Sequence, residues 1–279
     1  MANHSDSGGP AVVSVPRVWL WFSSLVAVLV TLTSLLGILV PATYSREAGA
    51  WAIQAVGQDW ANLAVVVLLL ASTWHVYRRS ARAFLVWLGA HLYLVYAFAI
   101  YAFAVHFQFL FLVYVAVLGL SFYSLVVGAR SFDPDRLAGK MPGGGRARAA
   151  GVLLLVIGAL FGLLWLGEIV PALLGGTVPA ALAETGLWVN PVHVLDLAIL
   201  LPAMVLAGVS LLRDRSAGKV LAVPLLVFAL TMGLGIVVMF GLSAARGLDW
   251  PKPAAALIAV IMGLSAWFAV RWLRGMRSG

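Results

Sequence analysis

The sequence predicts an all-α fold, a polytopic membrane bundle of eight transmembrane helices with both termini in the cytoplasm. Three observations carry that expectation. Of the 279 residues, 63% are hydrophobic and only 10% are charged, whereas a soluble domain carries about 25% charge. Eight apolar runs are each long enough to cross a bilayer, which takes roughly 20 residues. The joins between those runs alternate between strongly basic and acidic character. The chain has no cysteine, so disulfides, thiolate metal sites and cysteine catalysis are excluded.

The runs can be taken in order. The first, 18–40, follows Arg17 and is too long for the core of a signal peptide, so it reads as an uncleaved span. Residues 1–17 before it read as a disordered cytoplasmic tail. The second, 60–76, opens at Gln58-Asp59-Trp60 and closes against Arg78 and Arg79. The third and fourth, 83–105 and 108–128, are joined by the tight turn His106-Phe107-Gln108. The stretch 129–148, with Pro134, Pro142 and Gly143-Gly144-Gly145, reads as a flexible cytoplasmic linker. It divides a first half, 18–128, from a second, 149–279. The fifth run, 149–171, carries Gly158 and Gly162, a spacing that lets helices approach closely. The sixth, 191–212, opens at Asn190-Pro191, a helix cap followed by a first-turn proline. Pro202 frees the carbonyl of Ala198 within it and predicts a kink. The last two runs are 219–242 and 253–272.

Charge sets the orientation. Fifteen of the 18 Lys and Arg residues fall on one side: Arg17, Arg78, Arg79, Arg82, Arg130, Arg136, Lys140, Arg146, Arg148, Arg213, Arg215, Lys219, Arg271, Arg274 and Arg277. Arg46, Arg246 and Lys252 fall on the other. Six of the ten acids lie at or near that second side, leaving balances of +11 and −3. The positive-inside rule makes the basic side cytoplasmic. The formal net charge of +8 is therefore an orientation signal and not a nucleic-acid footprint. The setting is the cell membrane, and the lipid bilayer is the first partner.

An internal repeat is also expected. Leu36-Gly37-Ile38-Leu39-Val40-Pro41-Ala42 and Leu166-Gly167-Glu168-Ile169-Val170-Pro171-Ala172 match at five of seven positions, at an offset of 130. The first and fifth runs point the same way, which suggests a parallel four-plus-four duplication. Glu168 stands where the first half has Ile38, and a carboxylate near a membrane boundary needs a partner.

The most informative motif is Asn190-Pro191-Val192-His193-Val194-Leu195-Asp196. His193 and Asp196 are three apart on one helix face, with Asp196 about a turn inside the apolar region. Asp59, His106 and Glu168 fall on the same side by topology. Two imidazoles and three carboxylates at one level suit a small molecule or ion, a proton relay, or a divalent metal held by His193, Asp196 and Glu168. The bland reading is that these residues are helix caps and structural hydrogen bonds. A second candidate region centres on His91, about 13 Å into the bilayer at 1.5 Å per residue from Arg82. Trp87, His91, Leu94, Phe98 and Tyr101 form one stripe, widened by Tyr93 and Tyr96, which suits a planar or apolar ligand or a plain aromatic core. Haem is disfavoured, because His91 and His75 differ in depth and His106 and His193 both lie near the outer surface. No P-loop, dinucleotide fingerprint, zincin spacing or nucleophile elbow occurs.

Phe107-Gln108-Phe109-Leu110-Phe111 through Tyr114, followed by Asn190 to Asp196 with Pro202, resembles uncharacterised multipass membrane proteins of bacteria. That resemblance covers most of the chain and implies no activity. Three functions remain open. The first is binding or transport of a small molecule or ion through an outward-facing ionisable site. The second is an intramembrane enzyme, metal-dependent or not, acting on a lipid or isoprenoid. The third is a structural or assembly subunit without a site. A homo-oligomer is compatible with each.

Overall fold

The computed structural model describes residues 12–277. In chain order its helices are α1 (Arg17–Leu39), α2 (Gly49–Tyr77), α3 (Ala81–Ala104), α4 (Phe111–Ala129), α5 (Pro134–Gly139), α6 (Gly145–Leu174), α7 (Ala180–Thr185), α8 (Pro191–Leu195), α9 (Leu201–Leu212), α10 (Ser216–Ala245) and α11 (Lys252–Gly275). A 3-10 turn, Pro41–Tyr44, follows α1, and a π-helical turn, Asp196–Leu200, fuses α8 to α9. Eight of these helices are long and apolar enough to span a membrane, counting α8 to α9 as one, and the chain is an integral multipass membrane protein. Helices are the expected solution, because they satisfy every backbone N–H and C=O internally where no water can.

Most helix ends lie within a few residues of the apolar runs. The exception is α2, which starts at Gly49 and not near residue 60. Gln54, Gln58 and Asp59 dilute the apolar signal there, yet Trp51, Ile53, Ala55, Gly57 and Asp59 are all buried. Asp59 therefore lies ten residues inside a helix of 29 and does not cap it. The expected cap Asn190 does form, its Oδ1 accepting the Val192 N–H at 2.9 Å. Just before Pro202, where a kink is expected, the helix makes a π turn: the Leu201 N–H bonds to the Asp196 carbonyl five residues back.

α1 packs on α2 and α4, and α3 packs on α2 and α4, closing the first four spanning helices into a ring. In the second half α6 packs on α9, α9 on α10, and α10 on α11, with a sparser closure between α11 and α6. The halves join because α10 lies against both α2 and α3. α3 and α10 are the most enclosed spans, with about two thirds of an apolar 18-residue stretch of each buried. Glycine permits the closest approach: a Cβ on Gly89 of α3 would fall 2.6 Å from Val227 Cβ and 3.0 Å from the Pro224 carbonyl of α10. Gly151 of α6 and Gly208 of α9 meet in the same way, each Cβ position within 3 Å of the other's carbonyl oxygen.

The joins at one end of the bundle are basic. Here residues 129–148 are folded, unlike the flexible linker expected. Ser14 N–H bonds to the Ser131 carbonyl at 2.8 Å, Leu137 of α5 is fully buried, and Arg277 N–H bonds to the Lys140 carbonyl at 2.8 Å. Of the tail expected to be disordered, residues 1–11 lie outside the described residues, whereas Val13 is buried and pairs with Phe132. At the opposite, acidic end, Arg46 Nη1 donates to the Phe107 carbonyl at 3.0 Å, tying two joins together.

Candidate functional site

Helices α6, α8, α3 and α10 converge on a cavity of about 400 Å³ near the acidic end. Its wall is largely apolar, with Phe161, Trp165, Phe228, Met232 and Ile258 among the lining residues. Glu168, His193 and Asp196 line it too, and neither lysine nor arginine does. The local sequence explains how they meet. Asn190 and Pro191 start α8, so His193 comes round in its first turn, and the π turn then begins at Asp196. Such turns widen the helix by one residue and recur at functional sites.

Asp196 is held by two aromatic donors. Tyr96 O–H donates to Oδ1 at 2.9 Å, and Trp165 Nε1–H donates to Oδ2 at 2.8 Å. Hydrogen bonds to a charged acceptor contribute about 1.5–3 kcal/mol each, which offsets part of the cost of a carboxylate below the headgroups. The Trp165 ring also lies on the His193 ring, with centroids 4.6 Å apart. His193 Nε2 faces Glu168 Oε2 at 3.8 Å. His193 is buried, while about a third of the Glu168 side chain is exposed. Glu168, His193, Trp165, Asp196 and Tyr96 thus form one continuous chain of contacts.

Asp59 belongs to a different network. It is 1% exposed, accepting Tyr44 O–H on Oδ2 at 2.7 Å and Tyr101 O–H on Oδ1 at 2.9 Å. Tyr93 O–H donates to Asn62 Oδ1 at 2.8 Å, and Gln58 Nε2 donates to the Tyr93 hydroxyl. Gly37 completes the cradle, since a Cβ there would fall 2.0 Å from Asp59 Oδ2. Burial and the adjacent Asp59 charge hold the Tyr44 phenol well above its ordinary pKa. Gln58 and Tyr101 reach from this network to the wall of the cavity.

The five ionisable residues expected at one level are therefore not one cluster. Glu168, His193 and Asp196 share the cavity. Asp59 faces α1 and α3, meeting Tyr44 just after α1 and Tyr101 on α3. His106, half exposed, pairs with Glu47: Nδ1 lies 3.0 Å from Oε2, and its backbone N–H donates to Oε1 at 2.8 Å. The metal set His193, Asp196 and Glu168 is not assembled either. Both Asp196 oxygens are turned to Tyr96 and Trp165, and among the described residues no three His, Asp or Glu gather where they could hold an ion.

The aromatic stripe of α3 splits by function of position. His91 is fully buried, its Nε2 3.0 Å from Ser23 Oγ, which also accepts Trp87 Nε1–H at 3.0 Å. Trp87, His91, Leu94 and Phe98 pack as core between α3 and its neighbours. Tyr93 and Tyr101 serve the Asp59 network, and Tyr96 serves Asp196. Sequence reasoning missed Trp165, Tyr44, Glu47, Gln58 and Asn62. The nearest available signal was Trp165 lying one helical turn before Glu168.

Comparison with family models, curated proteins and solved structures returns no match.

Proposed function

We propose that this integral membrane protein binds a small apolar molecule carrying a positive charge, in the cavity walled by α2, α3 and the second half. The observation that carries this reading is the lining itself, in which two carboxylates and one imidazole lie on an aromatic wall without a lysine or arginine. Such a surface repels anions and attracts cations whether or not His193 is protonated. Concave, mostly apolar cavities with a few convergent polar groups are the common form of small-molecule sites. A carrier is favoured over an enzyme, because the lining runs from Asn190 down to Met204, eight residues beyond Asp196. A site reaching toward the midplane between two halves is the arrangement carriers use.

The balance of +11 against −3 supports cytoplasmic termini in a cell membrane, which turns the Asn190 end of the cavity outward. Helix order supports the four-plus-four duplication: first with second, second with third and third with fourth pack together in both halves, and the third of each half, α3 and α10, is the buried one.

The test uses tetraphenylphosphonium, a lipophilic cation, with equilibrium dialysis against purified protein in detergent. Saturable binding that an excess of unlabelled cation displaces is expected. Only non-saturable partition, equal to that of empty micelles, would refute the reading.

A further inference from the structure

At the basic end, two adjoining cavities open between the start of α6 and the end of α11. One is lined by Pro142, Gly143, Arg146 and Arg277, and the other by Arg146, Trp267, Arg271 and Arg274, so they share Arg146. Their volumes are about 560 and 390 Å³. Trp267, Arg271 and Arg274 follow helical spacing on one face of α11, and the Arg271 guanidinium lies over the Trp267 ring, 4.8 Å from its centroid. Arg146 is packed against Gly275: a Cβ there would meet its Nη1 at 2.8 Å.

Among the described residues none of Arg146, Arg271, Arg274 and Arg277 forms an ion pair. Among the described residues the acids at this end are engaged elsewhere. Asp214, which approaches Gly143, pairs with Lys219 at 3.0 Å, Asp133 caps α5 and faces Arg136, and Asp135 accepts Ser216 O–H. A plain orientation signal requires basic residues at this end, but it does not require four arginines around two joined cavities. Below the arginines the surface is apolar and unpartnered, with Trp267 50%, Val260 58% and Val156 of α6 53% exposed. α6 and α11 touch only sparsely here, leaving an apolar strip that suits acyl chains.

We propose that the paired cavities bind the headgroup of an anionic phospholipid with two phosphate groups. One phosphate lies between Arg146 and Arg277, the other between Arg146, Arg271 and Arg274, and the acyl chains lie along Trp267. Arginine suits the role because its planar fork matches phosphate oxygens two at a time, and basic pockets between membrane helices recognise such headgroups. The inference is independent of the cavity containing Asp196.

Native mass spectrometry of the detergent-purified full chain tests it. The added probes are diphosphatidylglycerol, phosphatidylglycerol at matched phosphate, phosphatidylcholine and inorganic phosphate. The wild type should retain one diphosphatidylglycerol per chain in preference to phosphatidylglycerol, retain no phosphatidylcholine, and keep its lipid in excess inorganic phosphate. The double variant Arg146→Gln/Arg274→Gln should lower retention about thirtyfold, taking the contribution of each arginine near a charged lipid surface. Arg213→Gln/Arg215→Gln, which removes equal charge from the same end outside the cavities, should leave retention unchanged. Equal losses in both double variants would overturn the site in favour of a diffuse surface potential. Displacement by inorganic phosphate would overturn the lipid as occupant. If the first double variant does not fold, the wild-type competition decides alone: no preference for the two-phosphate lipid overturns the proposal.

Discussion

Replacing Tyr96 by Phe should remove one of the two donors that hold Asp196 while leaving the aromatic packing in place. The ring is buried and meets Phe228 edge-on at 5.1 Å, contacts that Phe preserves. What is lost is the 2.9 Å hydrogen bond to Oδ1. A hydrogen bond to a charged acceptor contributes about 2 kcal/mol, near the middle of its usual range. Neutral hydrogen bonds between membrane helices average only about 0.6 kcal/mol in double-mutant cycles. The difference makes the cycle Tyr96→Phe, Asp196→Leu and the double variant informative. Tyr96→Phe should destabilise the wild type by about 2 kcal/mol. It should cost nothing or even stabilise in the Asp196→Leu background, where the buried hydroxyl is left without an acceptor, so the coupling energy is at least about 2 kcal/mol. Reversible unfolding in mixed micelles gives all four free energies. A coupling below about 0.6 kcal/mol would mean that the pair is no stronger than an ordinary neutral contact.

Three further outcomes follow from the same geometry. Gly37→Ala should destabilise the protein by about 1–3 kcal/mol, the usual cost of overpacking, because its Cβ falls 2.0 Å from Asp59 Oδ2 and 2.8 Å from Tyr44 Oη; unchanged thermal unfolding would mean that the Asp59 cradle is not packed. Tyr44 has a raised pKa in the folded state, so its contribution to stability is complete below the unfolded value near 10 and falls as pH rises beyond it. Tyr44→Phe should therefore flatten the loss of stability in alkali, and an unchanged alkaline slope would exclude the effect. His106→Ala should cost about 1–3 kcal/mol in thermal unfolding, since it takes a partner from the Glu47 carboxylate, whose side chain is only 2% exposed although His106 itself is half exposed; a loss below about 0.5 kcal/mol would reduce the pair to a surface contact.

Helix number and order were legible because lipid permits few alternatives. Each span needs a long apolar run, and the joins carry the sign of their side, so neither feature depends on which helices touch. The start of α2 was not legible for the opposite reason. Gln54, Gln58 and Asp59 look like a boundary by composition, and only their packing against α1, α3 and α10 makes them interior. The motif from Asn190 to Asp196 revealed its cap and the presence of His193 and Asp196 on one cavity wall, because both follow from helical spacing. It could not reveal that Trp165 and Tyr96 occupy both Asp196 oxygens, since those donors come from α6 and α3 and spacing along one helix does not say which helices meet. Asp59 and Asp196 looked alike in sequence as acids near the start of a span. The fold separates them, one enclosed by Tyr44 and Tyr101 and the other opening on a cavity.

The proposed selection of positive charge by the cavity carboxylates is read with two probes of the same shape and opposite charge. The measurement is the ratio of affinities for tetraphenylphosphonium and tetraphenylborate, taken by equilibrium dialysis on the wild type and on Glu168→Gln/Asp196→Asn. The wild type should prefer the cation, and the double variant should lose at least about tenfold of that preference, corresponding to about 1.4 kcal/mol, with its elution profile and helicity unchanged. An equal ratio in the two proteins, or a wild type that prefers the anion, would show that these carboxylates do not select the cation.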